Sequence, residues 1–585
     1  MYFSEICNVF FNYFLSSSKI LYFCTKIRKK MKLKVYFLLV FLVAFGAKAQ
    51  TYINPMDIPT VLSASFAELR TNHFHGGLDI STPRTGIPVK SVADGYVSRI
   101  KVSPYGYGYG LYITHYDGNT TVYGHLSEYA PKIDSAVRKE QYRLQSFDVD
   151  YFPEQSLLPV KQGEVVAYSG NSGGSLGPHL HLEVRDTKTE DPLNPLAYLE
   201  KQVADHRAPT VYGIKAYALD DTSATEEKYY ELKSIENKTI DAYGHVGFGI
   251  NAVDFFDVGG RPCGVVEVSL YDNERLVFRS VLDRMPFDKT RYINSFVDFA
   301  EVQTDNRYIQ KSFIDPNNQL DIYKECKPII VKPGELHRMR YELTDFVGNV
   351  RKVSFNVRGV SGDSFEPRIC RGRRISWAKD YNIEFEGITV NIPANNFYKD
   401  EYVVFARSDS NAFNRPLYTV GSREIPVHDH ITLTLPLPED YKKMLADSVL
   451  KPRQILIART GKKNSIGYVG GTIDGDHITV NPRILGDFLV AIDTVPPRVV
   501  SKNTVTLLSQ TNSVMVGISD NLSGIVKYNC YIDGEWKIFE YDYKNTRLIS
   551  TVKKLGLKSG AHTLVAKIED ACGNLTEWEW KFRVK

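Results

Sequence analysis

The sequence predicts a mainly β protein made of several domains. Beyond about residue 200, β-branched and aromatic residues alternate with polar ones in short runs, and long helical patterns are scarce. Before that point, glycine-containing turns such as Asp94–Gly95 separate short alternating segments. A chain of 585 residues is too long for one hydrophobic core. We therefore expect an antiparallel β-sheet domain followed by two or three β-sandwich domains.

Residues 1–49 have the features of a secretory signal peptide. A basic stretch, Lys29–Lys34, precedes the apolar run Val35–Gly46, and Ala47–Ala49 matches an A-x-A cleavage site. An apolar core of this length is too short to cross a bilayer. We expect export to the periplasm or cell envelope, or release from the cell, with no transmembrane anchor in the mature protein.

Met31 is the expected initiator, because residues 1–30 have no evident role ahead of such a signal and look like an over-extended reading frame. Residues 1–49 hold eight of the 72 Lys and Arg residues and one of the 68 Asp and Glu residues, so the rest of the chain has a net charge of −3. A nearly neutral chain lacks the basic surface that nucleic acids require, and we expect no nucleic-acid partner. The five cysteines of the mature part have no CxxC spacing, which argues against a cysteine-bound zinc cluster.

Two segments about a hundred residues apart carry side chains that suit one metal site. His75 and Asp79 lie in a Phe-His-Gly-Gly-Leu-Asp segment, and His179 and His181 lie in a Pro-His-Leu-His-Leu-Glu segment. Side chains alternate on an extended strand, so we expect the two members of each pair to share a face. If the strands are adjacent, three nitrogen or oxygen ligands meet and a fourth position stays open, as in catalytic zinc sites.

The residues around these segments resemble the lysostaphin/LytM-type zinc endopeptidases, bacterial enzymes that cut the peptide cross-links of peptidoglycan. The shared motifs are, in order, Phe74–Ile80, Ala93–Gly95, Leu111–His115, Tyr123–Ser127, Val160–Glu164, Ser169–Ser175 and Gly177–Glu183. The resemblance implies that His75, Asp79 and His181 hold one Zn²⁺ per chain. It also implies that His125 and His179 are unligated catalytic histidines.

The chemistry of that set is consistent with hydrolysis. Bound zinc lowers the pKa of its water to about 7, and a histidine titrates near the same pH. One of His125 and His179 would transfer the proton and the other would stabilise the oxyanion, but the sequence does not distinguish them. Glu183 shares the face of His181 and is a candidate to orient that ring. We expect His73, His115 and the His428-Asp429-His430 segment to be structural.

The expected domain boundaries follow from these motifs and from changes in pattern. Residues 50–205 would form the peptidase domain, with an insertion at 128–159 that contains a helix over Ile133–Leu144 and a strand over Phe147–Phe152. The later domains would be a β-sandwich over 206–360, a β-rich domain of unplaced fold over 361–492, and an immunoglobulin-like sandwich over 493–585.

Two of the later domains look like copies of one unit. Each begins with a proline-containing linker, after Asp205 or Asp493, and each closes on an Asp-x-x-Gly-Asn turn, at Asp345 or Asp570. They contain no catalytic constellation. Spacing, wall binding and docking of envelope proteins are the roles that the sequence leaves open for them.

The function that the sequence favours is an exported zinc metalloendopeptidase that hydrolyses peptidoglycan cross-links. The cleaved bond would be either a D-alanyl–diaminopimelate bond, as in a DD-endopeptidase, or a glycyl-glycine bond. One alternative is a catalytically silent LytM-like protein that binds or activates another wall hydrolase. Another is an adhesin or scaffold in which the β modules define the biology and the peptidase is auxiliary. Since every candidate ligand and catalytic residue lies between His75 and His181, we expect the peptidase domain to fold and act without the later modules.

Overall fold

The computed structural model describes residues 52–199, 203–235, 238–366 and 369–585. The expected signal peptide and Met31 lie outside these residues. Strands predominate throughout, so the prediction of a mainly β protein with several β domains is confirmed. Within the described ranges, no helix combines the length and the apolar character that crossing a bilayer requires.

The N-terminal domain is built on a nine-stranded, largely antiparallel sheet. Its main path runs β1-β4-β13-β8-β7-β6-β10, while β5, β12 and β9 form a smaller sheet and β2 pairs with β3. The strands are β1 (Leu62–Ala64), β2 (Leu69–Arg70), β3 (His73–Phe74), β4 (Leu78–Ser81), β5 (Pro88–Lys90), β6 (Gly95–Val102), β7 (Tyr109–His115), β8 (Asn119–Leu126), β9 (Glu128–Tyr129), β10 (Val149–Tyr151), β11 (Pro159–Val160), β12 (Val165–Tyr168), β13 (His179–Asp186) and β14 (Pro192–Leu193).

The insertion contains the two elements that its sequence predicts. Helix α1 (Pro131–Leu144) starts with proline at its first turn, where the missing N–H costs nothing, and it buries Ile133, Val137 and Gln141 on one face. Strand β10 follows and pairs with β6. A short helix, α2 (Leu196–Leu199), ends the domain. Gln141 completes the buried face of α1, whereas Leu144 at its end is exposed.

The second domain surrounds one core, and a single long strand belongs to both of its halves. The first half of β18 pairs with β25, and its second half pairs with β15. Its strands are β15 (Thr210–Ala218), β16 (Ala224–Thr225), β17 (Tyr229–Glu231), β18 (Thr239–Val253), β19 (Glu267–Asp272), β20 (Arg275–Val281), β21 (Gln310–Lys311), β22 (Tyr323–Cys326), β23 (Ile329–Val331), β24 (Leu336–Thr344) and β25 (Val350–Gly359). Its helices are α3 (Leu232–Ile235), a 3₁₀ helix (Phe287–Tyr292), α4 (Ile293–Phe296) and α5 (Phe299–Asp305).

The third domain has two five-stranded sheets packed on a shared core. The sheets run β27-β28-β32-β36-β35 and β30-β31-β37-β33-β34, and β26 pairs with β29. Its elements are β26 (Arg373–Ile375), β27 (Tyr381–Phe385), β28 (Ile388–Ile392), β29 (Glu401–Val403), β30 (Phe405–Ser408), β31 (Leu417–Val420), β32 (Thr432–Pro436), α6 (Glu439–Ala446), β33 (Ile455–Thr460), β34 (Ile466–Gly470), β35 (Thr472–Asp474), β36 (His477–Val480) and β37 (Gly486–Ile492).

The fourth domain is a two-sheet sandwich. Its sheets run β38-β40-β44-β43 and β39-β46-β45-β41-β42 around one apolar core. Its elements are β38 (Arg498–Ser501), β39 (Leu507–Leu508), β40 (Ser513–Ser519), β41 (Ile525–Ile532), β42 (Glu535–Lys537), β43 (Glu540–Asp542), β44 (Arg547–Thr551), α7 (Val552–Leu555), β45 (Gly560–Asp570) and β46 (Leu575–Val584).

The cores of these domains are not separate, which argues against an independent peptidase domain. Phe66, Ala67 and Phe74 are buried in a cluster whose other buried members come from residues 282–398. The backbone N–H of Phe74 also donates to the hydroxyl of Thr290, 2.9 Å away. Removal of the second domain would expose these aromatic side chains to water, at a cost that scales with the apolar area uncovered.

The fourth domain also packs against the peptidase region, on the insertion. Tyr142 of α1 makes an edge-on ring contact with Trp536, with centroids 5.6 Å apart. The guanidinium of Arg138 donates to the backbone oxygen of Lys554 at 3.0 Å. Helix α1 of the insertion therefore provides a surface against which the fourth domain packs.

Candidate metal centre and catalytic histidines

The adjacent strands β4 and β13 bring the two halves of the predicted site together. They pair antiparallel, with His181 directly opposite Asp79. The leucine and isoleucine residues between the polar positions are fully buried on the other face: Leu78, Ile80, Leu180 and Leu182. A shift of one residue in register would reverse both faces, so this apolar alternation fixes which side chains face the site.

His75 reaches the same point by a different route from the one predicted. It does not share an extended strand with Asp79, because β3 ends at Phe74 and β4 begins at Leu78. The chain between them passes close over β13: a Cβ at Gly77 would lie 2.3 Å from the backbone oxygen of Leu182. Only glycine permits this approach, which returns His75 to the face of Asp79.

Three ligand atoms converge at this point. The Nε2 atom of His75 lies 3.1 Å from Oδ1 of Asp79 and 3.0 Å from Nδ1 of His181, and that Nδ1 atom lies 2.8 Å from the same Oδ1 atom. All three side chains are buried, and their ligand atoms form one of three such groups among the described residues. Two imidazole nitrogens and one carboxylate oxygen are the donor set of a catalytic zinc site.

In His75 and His181, the ring nitrogen that points away from the centre donates a hydrogen bond. These two bonds determine which nitrogen of each ring faces the candidate metal position. Nδ1 of His75 donates to the backbone oxygen of Ser65 at 2.7 Å. Nε2 of His181 donates to the carboxylate of Glu183 at 2.8 Å. Each ring therefore presents its other nitrogen to the centre, in the arrangement typical of metal-bound histidines. The residues fit a zinc ion.

A buried network lies behind His181. The carboxylate of Glu183 accepts hydrogen bonds from the hydroxyl of Tyr107 and from Arg185, whose Nε atom is 2.6 Å away. Burial would raise the pKa of Glu183, but Arg185 and His181 lower it to about 2. Glu183 is thus a fixed anion that orients His181, as its position on the strand suggested. Arg185 was missed, although alternation places it on the same face.

The charges at the centre favour a cation. Burial alone would raise the pKa of Asp79, but the histidines around it hold the pKa well below its usual range. Burial would lower the pKa of His181, yet Asp79 and Glu183 outweigh that effect and raise it to about 9. Arg70 also donates to Oδ2 of Asp79, at 3.0 Å, and was not anticipated from the sequence. A proton on His181 and a metal ion would compete for the same nitrogen.

His125 and His179 stand side by side at the edge of the centre, with ring centroids 4.7 Å apart. Nδ1 of His125 donates to the backbone oxygen of Ser172 at 2.9 Å, and Nδ1 of His179 donates to that of Gly177 at the same distance. Nε2 of His179 is buried without a hydrogen-bond partner, 3.5 Å from Oδ1 of Asp79. Burial, with the nearby His181 and His179, lowers the pKa of His125 to about 3. A hydrogen bond from Nδ1 therefore orients each ring, and Nε2 of each ring remains available for proton transfer or hydrogen bonding.

The remaining histidines named in the sequence analysis lie elsewhere. His115 is buried against Thr121, with Nε2 2.7 Å from the hydroxyl oxygen. His428 packs on the ring of Tyr292 with centroids 4.3 Å apart, and His73 is exposed. None of the three belongs to a metal-ligand group among the described residues.

Two parts of this chain match known protein families, and part of it is similar to known peptidases. Residues 73–142 match the model of peptidase family M23, and residues 372–493 match a Zu5-like domain. The DD-carboxypeptidase/endopeptidase Mpg of Neisseria meningitidis is 33% identical over 129 residues, which are 22% of this chain and 24% of that protein. The peptidoglycan DD-endopeptidase ShyB of Vibrio cholerae is 34% identical over 110 residues, 19% of this chain and 20% of that protein. The match thus spans about a quarter or less of these relatives.

Solved structures of peptidases also match part of this chain. The catalytic domain of lysostaphin from Staphylococcus simulans is 22% identical, with a TM-score of 0.19, covering 24% of this chain and 92% of that one. A zinc-containing peptidase from Vibrio cholerae is 27% identical, with a TM-score of 0.17, covering 25% of this chain and 36% of that one. Together, the family match and the relatives' sequences show that part of the N-terminal region is similar to peptidases of family M23, and His75, Asp79 and His181 converge in that region.

Proposed function

We propose that this chain is an exported zinc metalloendopeptidase that hydrolyses the peptide cross-links of peptidoglycan. The observation that carries the proposal is the convergence of His75, Asp79 and His181 beside two further histidines that are not part of the ligand group. A structural zinc site has four protein ligands, whereas a set of three beside unligated histidines suits catalysis. The names of the M23 relatives from Neisseria and Vibrio support the substrate class.

His75, Asp79 and His181 would hold the ion. When bound, zinc polarises a carbonyl group and makes water acidic enough to act as a nucleophile near neutral pH. Glu183, locked by Arg185 and Tyr107, keeps the His181 ring in the orientation that exposes Nδ1. Loss of that support would weaken metal binding without removing a ligand.

His125 and His179 would transfer protons and stabilise the negative charge that develops on the substrate. Each donates through Nδ1 to a backbone carbonyl, so the neutral ring carries an unprotonated Nε2. An unprotonated Nε2 can accept a proton from the attacking water and later return it to the leaving amine. The partner ring, once protonated, can donate a hydrogen bond to the developing oxyanion. Which ring takes which role depends on where the substrate carbonyl sits.

The decisive experiment is digestion of purified peptidoglycan by the mature, zinc-loaded chain, followed by mass spectrometry of the muropeptides. We expect cross-linked dimers to disappear and monomers to accumulate. Sacculi with direct D-alanyl–diaminopimelate cross-links and sacculi with glycine bridges should be digested in parallel, because the bond that is cut identifies the specificity. A protein that binds zinc and sacculi but leaves both kinds of dimer intact would instead be a silent binding or activating module.

Export has its own test. The mature N-terminus of the exported protein is expected at Gln50, after the Ala47-x-Ala49 site. Intact-mass measurement of protein recovered from the envelope fraction checks this. Residues 1–30 on the mature protein would contradict both the signal peptide and Met31 as initiator.

A further inference from the structure

Three aspartates meet where the peptidase region joins the second domain. Asp205 lies in the linker before β15, Asp254 directly follows β18, and Asp345 directly follows β24. Each offers a carboxylate oxygen to a group of atoms that all lie within 4.8 Å of one another. We call this group the first linker cluster. It shares no residue with the candidate zinc site.

The first linker cluster is buried, and the charge of the nearby Arg207 only partly offsets the rise in the pKa of Asp205 and Asp254. Asp205, Asp254 and Asp345 are 7%, 2% and 3% exposed. One carboxylate oxygen of Asp205 and one of Asp254 are buried without any hydrogen-bond partner. Among the described residues, no ion pair links any of the three to a lysine, arginine or histidine; the neighbouring His206 pairs with Asp257 instead.

Three buried carboxylates close together are costly unless something neutralises them. The cluster accepts few hydrogen bonds, and most of them go to Asp345. Its carboxylate accepts from the backbone N–H groups of Gly348 and Asn349, at 2.8 and 2.9 Å. Burial, together with Asp205 and Asp345, raises the pKa of Asp254 to about 7. Either protons or a bound cation must therefore compensate the charge at neutral pH.

The same arrangement occurs a second time, before the fourth domain. Asp493 follows β37 in the linker, Asp520 follows β40, and Asp570 ends β45; their ligand atoms also lie within 4.8 Å of one another. Asp493 and Asp570 are each 1% exposed, and one oxygen of Asp520 is buried without a partner. We call this group the second linker cluster.

The two clusters match in detail as well as in position. In each, the asparagine of the Asp-x-x-Gly-Asn turn donates from its side chain to the turn aspartate, at 2.7 Å for Asn349 and 2.8 Å for Asn574. The Asn574 amide also donates to the backbone oxygen of Asp493, at 3.0 Å. The turn therefore ties the linker aspartate to the domain that follows it.

We propose that each linker cluster binds one hard divalent cation of the calcium class and thereby fixes a domain junction. All the side-chain ligands are carboxylates, without the histidine or cysteine that zinc and copper favour. Ca²⁺ binds oxygen at 2.3–2.6 Å, so ligands on opposite sides lie about 4.6–5.2 Å apart, and carboxylate atoms within 4.8 Å can share one ion. Backbone carbonyls and water would complete the shell. The bound ion would hold the Asp205 linker against β18 and β24, and the Asp493 linker against β40 and β45.

Calorimetric titration of the mature full-length chain with Ca²⁺ tests this. The protein is first stripped of metal and then given one equivalent of Zn²⁺, so that the M23 site is filled. We expect two Ca²⁺ per chain with dissociation constants of about 10⁻⁴–10⁻³ M, the range of extracellular calcium modules, and a higher Tm with calcium. Asp254→Asn should bind one Ca²⁺, and Asp254→Asn combined with Asp520→Asn should bind none and show no calcium-dependent rise in Tm.

The controls separate this proposal from nonspecific binding and from misfolding. Asp257→Asn, three residues from Asp254 but outside the cluster, should still bind two Ca²⁺. Asp254→Asn removes a repelling charge, so its Tm without calcium should equal or exceed that of the parent chain. Absence of Ca²⁺ binding at concentrations up to several millimolar would overturn the proposal. It would also be overturned if Asp254→Asn, alone or combined with Asp520→Asn, bound as many Ca²⁺ ions as the parent chain. Protons alone would then neutralise the clusters.

Discussion

The side-chain amine of Lys544, in the fourth domain, donates a hydrogen bond to the backbone oxygen of Ser175, 3.0 Å away in the peptidase region. The same amine donates to the backbone oxygen of Asn171. Between these two residues lies Ser172, whose backbone oxygen holds His125, and the hydroxyl oxygen of Ser175 is 3.1 Å from Nδ1 of His179. The last domain thus supports the loop that positions both candidate catalytic histidines.

Replacement of Lys544 should therefore slow catalysis without removing zinc. We expect Lys544→Ala to lower kcat by about tenfold, because small misplacements of catalytic groups cost up to ~100-fold. The measurement is kcat on a soluble cross-linked peptide, with zinc content determined in the same preparation. Lys581→Ala is the matched control, since the ion pair of that lysine among the described residues is with Glu579 on the last strand. Equal kcat values for the two variants would show that the Lys544 contact does not position the histidines.

Truncation after residue 205 should yield a poorly folded peptidase region. Phe66 and Phe74 would lose the cluster that buries them, and the Asn171–Ser175 loop would lose Lys544. We expect aggregation or a Tm well below that of the mature chain, measured by size-exclusion chromatography and thermal unfolding. Truncation after residue 492 keeps the Phe66 cluster and should stay soluble with reduced kcat. A soluble, zinc-loaded and fully active 50–205 fragment would restore the independent domain that the motif positions suggested.

Variants of the candidate ligands and variants of the candidate catalytic histidines should differ in zinc content. Asp79→Ala and His181→Ala each remove one of the three candidate zinc ligands, so we expect loss of zinc and of activity together. His125→Ala should keep near-stoichiometric zinc and lose roughly 10²–10⁴ in rate. His115→Ala controls for the removal of a buried histidine outside the site. The assignment of roles is wrong if His125→Ala loses its metal to the extent that His181→Ala does.

Without calcium, stability should fall as the pH rises through about 7. The pKa of Asp254 is about 7 in the folded chain and about 3.9 in an unfolded one, so the folded state holds a proton that the unfolded state has lost. Stability from this group is complete below pH 4 and is lost as the pH rises through 7. The Tm of the calcium-free parent chain, minus that of Asp254→Asn, should decrease from pH 5 to pH 8. A difference that stays constant over this range would show that Asp254 is not the titrating group.

Much of the zinc site follows from local sequence. Alternation along β13 places His179, His181 and Glu183 on one face, and the buried leucines between them leave only one register. The helix and strand of the insertion were predicted for the same reason, because their periodicities are local. His75 shows the limit of this reasoning: it meets Asp79 across a glycine-mediated bend, which no strand periodicity describes.

The sequence by itself determined a mainly β chain and predicted three candidate metal ligands and two candidate catalytic histidines, because alternation acts over a few residues and the family resemblance lies in the order of short motifs. Only the tertiary structure decided that Phe74 shares a core with the second domain, that Lys544 supports the histidine loop, and that Asp205, Asp254 and Asp345 meet. These contacts join residues from about fifty to several hundred positions apart. Spacing along the chain carries no information about them, since they depend on how whole sheets pack against one another.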